Sequence, residues 1–283
     1  MSNALDTFVA NWNSDSLETG YYSAGYGTLV DESFARNFQL SEASQSHGLR
    51  VSSLGSYGMV QALKVVAWKQ YRRSLREKPS IGRKADVFHT GDVIEARLLA
   101  VMESSGLTVT HKQDELMWHG VTGHPDGMVE NTVFDVKTSS SGNFKRFLKN
   151  PPLTYVTQLS VYAQALNASN AALLFYDKDN CKLGLKYLDF DVMEDARTRA
   201  SEIIEGVNAC VTIADVYDVF DVPDPLEEIF QKKGTGKYYA PYDLYPPFPD
   251  LLYERVTDKS GYDNEREYII GIRSPEDVAM LIK

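Results

Sequence analysis

Three residues near the middle of the chain, Asp126, Asp135 and Lys137, have the types and spacing that chemistry on a phosphate requires. The alternating pattern around the last two predicts a β-strand that places Asp135 and Lys137 on one face. Asp126 precedes Asp135 by nine positions, across a predicted turn at Glu130 and Asn131, so hairpin pairing brings the two carboxylates close together. Like charges held close repel each other, and a divalent cation removes that repulsion. Two carboxylates beside an ammonium group therefore suit a site that binds Mg²⁺ or Mn²⁺ and acts on a phosphate.

The length of 283 residues and a hydrophobic content of 43% allow one large domain with a real core. We predict an N-terminal arm over residues 1–50, a core over 51–233 and a C-terminal tail over 234–283 that packs on the core. No stretch approaches the roughly 20 apolar residues of a membrane span, and the N-terminus lacks the basic and apolar pattern of a signal peptide. The expectation is a soluble cytoplasmic protein with no membrane contact.

The formal net charge of −10 argues against a protein that coats nucleic acid through many Lys and Arg contacts. It does not exclude an enzyme that cuts nucleic acid. Cationic residues are concentrated in residues 69–84, which include Arg72 and Arg73. This segment is either a surface that follows phosphates or an ordinary solvated helix face, and the sequence leaves both interpretations open.

The two cysteines, Cys181 and Cys210, lie in apolar surroundings and show neither disulfide nor metal-ligand spacing. We therefore expect both to be buried as small hydrophobic side chains. The sequence also lacks a cluster of Cys and His with the spacing of a zinc site. Oxygen atoms are thus the expected metal donors.

Hydrophobic periodicity predicts the elements that position these residues. Residues 1–50, rich in Gly, Ser and Asn with an aromatic patch at 21–27, are expected to form an arm with little regular structure. Helices are predicted at 52–78, 91–105, 154–167 and 192–213, and strands at 107–111, 116–121, 171–176 and 183–190. Residues 234–250, rich in Tyr, Gly and Pro, are expected to be irregular. The pattern at 268–272 predicts a strand, and Ser274 is predicted to cap a last helix.

Further polar residues border the predicted site. Glu95 lies beside the apolar stripe of its helix, where it is either a surface carboxylate or a third metal ligand. Gln158 and Tyr162 lie four residues apart on one helix face, so their side chains can contact the same chemical group. A predicted loop after the second strand of the hairpin adds polar and basic side chains that can contact phosphates: Ser139, Lys145 and Arg146.

Four motifs, taken in order and spacing, resemble the PD-(D/E)XK nuclease superfamily, and in particular its RecB-like branch of CRISPR-associated and phage-type exonucleases. They are Gly-x-x-x-Glu95, Gly-His-x-Asp126-Gly, Asp135-Val-Lys137 and Gln158-x-x-x-Tyr162, and they cover residues 89–166. Each motif alone is weak, whereas four in register form a strong signal. The resemblance implies an α/β fold with a restriction-endonuclease-like core, in which α-helices flank a central mixed β-sheet.

The resemblance also implies roles for individual residues. The metal ligands would be Glu95, Asp126, Asp135 and the carbonyl oxygen of Val136. Lys137 would act as the general base or orient the attacking water, and Gln158 with Tyr162 would hold DNA or Lys137 in place. His89 is a candidate further ligand, because some relatives use a histidine near this position; the alternative is a loop histidine near the surface. His124 either contacts the substrate or has a hydrogen-bonded structural role.

One departure from this branch concerns iron. Many members carry an iron–sulfur cluster on one cysteine in the first helix and three near the C-terminus. The corresponding stretches here, 56–58 and 239–245, contain no cysteine. We therefore expect no iron–sulfur cluster.

The resemblance implies a Mg²⁺- or Mn²⁺-dependent deoxyribonuclease, most simply an exonuclease in DNA recombination, DNA repair or phage DNA processing. An endonuclease or a junction resolvase would use the same active site, and a catalytically silent relative that binds DNA would keep the same fold. DNA is the expected partner, in a bacterium or a phage-infected host cell. A homo-oligomer or a recombination protein as a second partner stays open.

Overall fold

The computed structural model describes residues 3–14, 48–75, 83–223, 247–258 and 266–283 of the chain. The chain divides into two compact units, one made of residues 1–55 and 79–201 and the other of residues 56–78 and 202–283. The aromatic patch, part of the basic segment and the Pro-rich stretch before residue 247 lie outside the described residues. None of the described helices is long and apolar enough to cross a membrane.

A mixed five-stranded sheet forms the centre of the first unit. Its strands are β1 (Val109–Thr110), β4 (Gly127–Val129), β5 (Thr132–Ser139), β6 (Asn170–Asp177) and β7 (Lys182–Tyr187), and a separate hairpin pairs β2 (Leu116–Trp118) with β3 (Val121–Gly123). The order is β1-β4-β5-β6-β7. Strands β5 and β6 run parallel, whereas the other neighbouring pairs are antiparallel. The parallel pair is separated in sequence by two helices, as a crossover connection requires.

Helices cover both faces of this sheet. The described helices are α1 (Ala4–Asn13), α2 (Gly58–Tyr71), α3 (Arg83–Ser104), α4 (Ser141–Lys149), α5 (Leu153–Ala165), α6 (Phe190–Ala209), α7 (Ile213–Val219), α8 (Phe248–Leu252) and α9 (Pro275–Ile282). Helices α1 and α3 pack on one face through a core that includes Leu5, Phe8, Leu98, Met102, Phe134, Leu174 and Leu183. On the opposite face, Phe147 of α4 and Tyr155 of α5 lie 6.0 Å and 6.5 Å from Phe175, measured between ring centroids. The predicted α/β fold, a central mixed sheet flanked by helices, is confirmed.

The first helix differs from the sequence prediction. Residues 4–13 form α1 rather than an arm with little regular structure. Asn3 caps the helix by accepting a hydrogen bond from the Leu5 N–H, and Leu5 and Phe8 are buried against the sheet. A ten-residue helix is marginal alone, and this one gains its stability from tertiary burial.

Other predictions also need correction. The strand predicted at 116–121 is two strands, β2 and β3, paired as a hairpin, and the helix predicted from residue 91 begins at Arg83. The segment predicted as a loop after Lys137 continues β5 to Ser139 and then forms α4, so its basic residues lie on a helix. Cys181 is exposed rather than buried, because it lies in the turn between β6 and β7 and outside both strands. Cys210 is buried, as predicted.

The second unit contains α2, α7, α8, α9, the end of α6, and a hairpin of β8 (Tyr253–Asp258) with β9 (Arg266–Ile272). Phe220 packs closely on two glycines, since a Cβ at Gly58 or Gly206 would lie 2.4 Å or 2.5 Å from its ring. Ser274 caps α9 by accepting a 3.2 Å hydrogen bond from the Asp277 N–H, as its sequence predicts.

Candidate active site

The hairpin of β4 and β5 brings two of the predicted carboxylates together. Gly127 pairs with Phe134 across this hairpin. Asp126 directly precedes Gly127, and the negative charge of Asp135 is close enough to raise the pKa of Asp126. Asp126 Oδ2 accepts a 2.6 Å hydrogen bond from the Val136 N–H, which fixes the carboxylate against the neighbouring strand. The arrangement predicted from the spacing of the two aspartates is therefore present.

Asp135 and Lys137 form an ion pair on the face of β5 that α5 covers. Asp135 Oδ2 lies 2.5 Å from Lys137 Nζ, with the two side chains 1% and 20% exposed. Lys137 Nζ also lies 5.1 Å from the ring centroid of Tyr155, a distance at which a cation is attracted to an aromatic face. Asp135 Oδ1 accepts no hydrogen bond from any residue that the structure describes. A buried carboxylate oxygen in that state is costly unless a ligand satisfies it.

Glu95, on α3, is linked to Asp126 through the side chain of Gln113. Gln113 Nε2 donates a 2.9 Å hydrogen bond to Glu95 Oε1 and a 3.0 Å hydrogen bond to Asp126 Oδ1. Gln113 lies in the connection between β1 and β2, and its backbone N–H donates to the Pro125 carbonyl at 2.9 Å. The Glu95 carboxylate is therefore part of the site and not an isolated surface group.

The ionisation of the site follows from its burial and crowding. Burial, and then the negative charges of Glu95 and Asp135, raise the pKa of Asp126 well above its ordinary value. Burial alone lowers the pKa of Lys137, but the Asp135 and Asp126 carboxylates raise it, and the net result is a pKa above its ordinary value. The crowding of carboxylates thus makes Asp126 harder to ionise than an isolated aspartate.

Helix α5 holds the segment that carries Asp126. Tyr162 Oη accepts a 3.1 Å hydrogen bond from the His124 N–H and a 3.2 Å hydrogen bond from Gln158 Nε2. Gly123 permits this approach, because a Cβ there would lie 2.7 Å from Tyr162 Cε1. Tyr162 is 2% exposed, so its burial favours positioning of the protein chain over contact with a substrate.

The remaining predicted residues near the hairpin have varied surroundings. His124 is exposed, and its Nδ1 lies 3.2 Å from the Gln113 carbonyl, so Nδ1 carries the proton in this hydrogen bond. Ser139 is buried, and its hydroxyl has no hydrogen bond within the described part of the chain. Val136 donates its N–H to Asp126, while the role of its carbonyl stays a prediction. His89 lies in α3, and its side chain is outside the described set.

The basic residues predicted to contact DNA are exposed. Lys145 and Arg146 lie on α4, where the Arg146 guanidinium is 5.0 Å from the ring centroid of Phe147. Arg72 and Arg73 belong to the second unit and follow directly on α2, where Arg72 ends the helix with a φ of 55°. Contact of any of them with DNA stays a prediction.

Sequence reasoning missed two residues of the site. Gln113 bridges two carboxylates that lie 18 and 13 positions away from it, and Tyr155 lies over Lys137 from a different element. No local signal identifies Gln113, because its role depends on tertiary contacts. Tyr155 stands three residues before Gln158 on the same helix, and this spacing could have identified it.

The carboxylates do not form a closed metal cage in this conformation. Among the residues that the structure describes, no three His, Cys, Asp or Glu side chains are arranged so that they could hold a metal ion. In this conformation Gln113 holds one oxygen each of Glu95 and Asp126, while Lys137 holds one oxygen of Asp135.

Comparisons with known proteins gave similarity at the level of structure alone. No family model matches the chain, and the search of curated proteins found no match. An alkaline exonuclease from Laribacter hongkongensis is similar over 60% of this chain and 93% of its own, at 14% identity and a TM-score of 0.42. A phage-related exonuclease from Haemophilus somnus is similar over 56% of this chain and 92% of its own, at 14% identity and a TM-score of 0.42. Similarity at these values does not assign an activity or a site.

Proposed function

We propose that this chain is a Mg²⁺- or Mn²⁺-dependent deoxyribonuclease that hydrolyses DNA phosphodiester bonds, most simply as an exonuclease. The observation that carries the proposal is the buried Asp135 carboxylate, one oxygen of which has no hydrogen bond among the described residues. Asp126 and Glu95 lie close by, since the negative charges of Glu95 and Asp135 both raise the pKa of Asp126. Hard oxygen donors in that condition fit a hard divalent cation. The exonuclease mode rests on the resemblance of the four motifs to the RecB-like branch.

The residues that would hold the metal are Glu95, Asp126, Asp135 and the carbonyl of Val136. A divalent cation bound there supplies positive charge that offsets the charge growing on the scissile phosphate. The fit is supported by the donor types and by the unsatisfied oxygen of Asp135. The Gln113 amide must yield one or both of its carboxylate contacts for the ligands to close on the cation.

Lys137 orients the attacking water in this proposal. Its ammonium group lies 2.5 Å from Asp135 and beside the Tyr155 ring, so its position is fixed from two sides. In the metal-free protein the Asp135 and Asp126 carboxylates raise the pKa of Lys137, which favours the charged form that donates hydrogen bonds. Of the two roles expected for this lysine, water orientation is the one its charge favours.

Tyr162 and Gln158 act as positioning residues. Their hydrogen bonds fix the backbone at His124, two residues before Asp126. Asp126 Oδ2 is in turn fixed by the Val136 N–H. A carboxylate held from both sides keeps its place when the substrate phosphate arrives, which is how a rigid site gains rate.

One assay tests the proposed activity. End-labelled single-stranded and double-stranded DNA and closed circular DNA are each incubated with Mg²⁺, Mn²⁺ or chelator. We expect metal-dependent degradation of the linear substrates from their ends, with closed circles left intact. Cutting of the circles would identify an endonuclease or resolvase instead, and DNA retention without cleavage would identify a silent DNA-binding protein.

Variants of the ligands test the site. Asp126→Ala and Asp135→Ala should each abolish cleavage while the protein stays folded, because each removes a ligand and also relieves repulsion in the metal-free form. Asp195→Ala, at an exposed position of α6, is the matched control and should keep wild-type turnover. Near wild-type turnover in Asp126→Ala or Asp135→Ala would show that the site is assigned wrongly.

A further inference from the structure

The Gln113 side chain occupies the space between two carboxylates of the proposed metal site. Its Nε2 lies 2.9 Å from Glu95 Oε1 and 3.0 Å from Asp126 Oδ1. Carboxylate oxygens accept hydrogen bonds, so only the NH₂ end of an amide can serve both at once, with one hydrogen for each. The amide thus places two partial positive charges between two negative groups, as a cation would.

The backbone around Gln113 is tied to the segment that carries Asp126. The Gln113 N–H donates to the Pro125 carbonyl at 2.9 Å, and the Gln113 carbonyl accepts from His124 Nδ1 at 3.2 Å. Gln113 and His111 have φ values of 57° and 54°, so the connection makes a tight local turn. Because these contacts hold the backbone, the side chain alone can leave the carboxylates by a change of rotamer.

A divalent cation that binds Glu95 Oε1 and Asp126 Oδ1 would take the two oxygens that the amide holds. A neutral amide compensates two carboxylates only in part, whereas a cation of charge +2 compensates them fully. A cation that binds Glu95 and Asp126 through these oxygens therefore has to break both hydrogen bonds of the amide. The absence of a closed three-carboxylate group among the described residues agrees with such competition.

We propose that Gln113 is a displaceable placeholder, which holds Glu95 and Asp126 together in the metal-free protein and is expelled when the divalent cation binds. This inference rests on the proposed metal-dependent function. Gln113 is then a positioning residue that lowers repulsion in the metal-free state and, for that reason, weakens metal binding. Loss of the amide raises the free energy of the metal-free site without removing a metal ligand. Its loss therefore tightens metal binding.

The test is a direct measurement of Mn²⁺ binding to the full chain without DNA, through the electron paramagnetic resonance signal of free Mn²⁺. Gln113→Met keeps the length of the side chain and removes its hydrogen bonds. We expect this variant to bind Mn²⁺ about tenfold more tightly than the wild type, the equivalent of ~1.4 kcal/mol. Its thermal midpoint without metal should be lower than that of the wild type. A merely structural glutamine would lower the midpoint without tightening Mn²⁺ binding.

Lys112→Met is the matched control, because it changes the adjacent side chain of the same connection, whose ammonium pairs with Glu103 at 2.6 Å. It should leave Mn²⁺ affinity unchanged. Gln113→Asn is a second variant that keeps an amide and tolerates a positive φ, but it is one methylene too short to reach both carboxylates. It should also bind Mn²⁺ more tightly than the wild type, which keeps the test decisive if Gln113→Met does not fold.

Two results would overturn the inference and leave the proposed function standing. Wild-type Mn²⁺ affinity in the Gln113 variants would show that the amide does not compete, and weaker binding would show that Gln113 is itself a ligand. If the wild type binds no Mn²⁺, and Asp135→Ala behaves identically, the proposed metal site fails and the placeholder fails with it. The Mn²⁺ titration of the wild type therefore separates the two failures.

Discussion

At the scale of single residues, the ion pair of Asp135 and Lys137 is unequally exposed to water. The carboxylate is 1% exposed and the lysine side chain 20%. Taking a carboxylate out of water is costly, and its partner's charge compensates that cost only while the partner is present. In the metal-free protein the pair therefore stabilises the fold as a unit, and removal of Lys137 leaves the Asp135 carboxylate buried without a counter-charge.

Lys137→Met should lower the free energy of unfolding of the metal-free protein by about 3 kcal/mol, because it leaves the Asp135 carboxylate buried without a counter-charge. The double variant Asp135→Asn/Lys137→Met should recover most of this loss, since it removes the buried charge as well. Urea unfolding in the presence of chelator measures both values.

Lys112→Met is the control for the loss of a lysine. The Lys112–Glu103 pair is more exposed, with side chains 35% and 36% exposed, so its removal should cost less than about 1 kcal/mol. If Lys137→Met costs no more than Lys112→Met, the Asp135–Lys137 pair does not stabilise the protein in the way described.

At the scale of secondary-structure elements, α5 is the support of the site. It carries Tyr155 beside Lys137, and it carries Gln158 and Tyr162, which fix the backbone that leads to Asp126. These three positions recur along one side of the helix at intervals of three and four residues. One helix thereby sets the positions of both the ammonium group and a carboxylate.

Tyr162→Phe should lower the free energy of unfolding by about 1 kcal/mol and also lower turnover on DNA. The hydroxyl is the acceptor of the His124 N–H, and its loss leaves that donor without its partner and Asp126 less firmly placed. Tyr187→Phe is the control, because its hydroxyl lies 3.4 Å from the exposed Asp6 at the surface. Unchanged turnover in Tyr162→Phe would show that α5 does not position the catalytic segment.

Helix α1 is a second element whose contribution can be measured. Leu5 is completely buried in the core between α1, α3 and the sheet. Leu5→Ala should lower the free energy of unfolding by about 2–5 kcal/mol, the range for a large apolar side chain removed from a core. Thr7→Ala, at an exposed position of the same helix, should change it by less than about 0.5 kcal/mol. Equal effects in the two variants would show that α1 is not part of the core.

Sequence patterns predicted the centre of the site better than its surroundings. The period of two around Asp135 and the spacing to Asp126 are local properties, and the structure has the hairpin they predict. Helix α1 was missed although Asn3 can cap it and its apolar residues follow a helical spacing, because a ten-residue helix is marginal without the sheet it packs on. Gln113 was missed for a similar reason, since its φ of 57° and both of its partners depend on the folded chain.

At the scale of the whole molecule, charge decides how DNA can be held. The chain carries a formal net charge of −10, which repels DNA phosphates. DNA binding therefore depends on local cationic groups whose attraction exceeds that repulsion. Two exposed pairs are available, Lys145 with Arg146 on α4 and Arg72 with Arg73 after α2. Each pair either contacts phosphates or is simply solvated.

Salt dependence of DNA affinity distinguishes these two cases. If Lys145 and Arg146 contact phosphates, Lys145→Gln/Arg146→Gln should weaken binding and flatten the plot of log affinity against log salt by about 0.7–0.9 per lost contact. Lys182→Gln/Lys186→Gln makes the same change in net charge on β7 and is the control for long-range effects. Lys137→Met should keep the wild-type slope, because its ammonium group is paired with Asp135. A slope unchanged by both the α4 pair and Arg72→Gln/Arg73→Gln would mean that other residues hold the DNA.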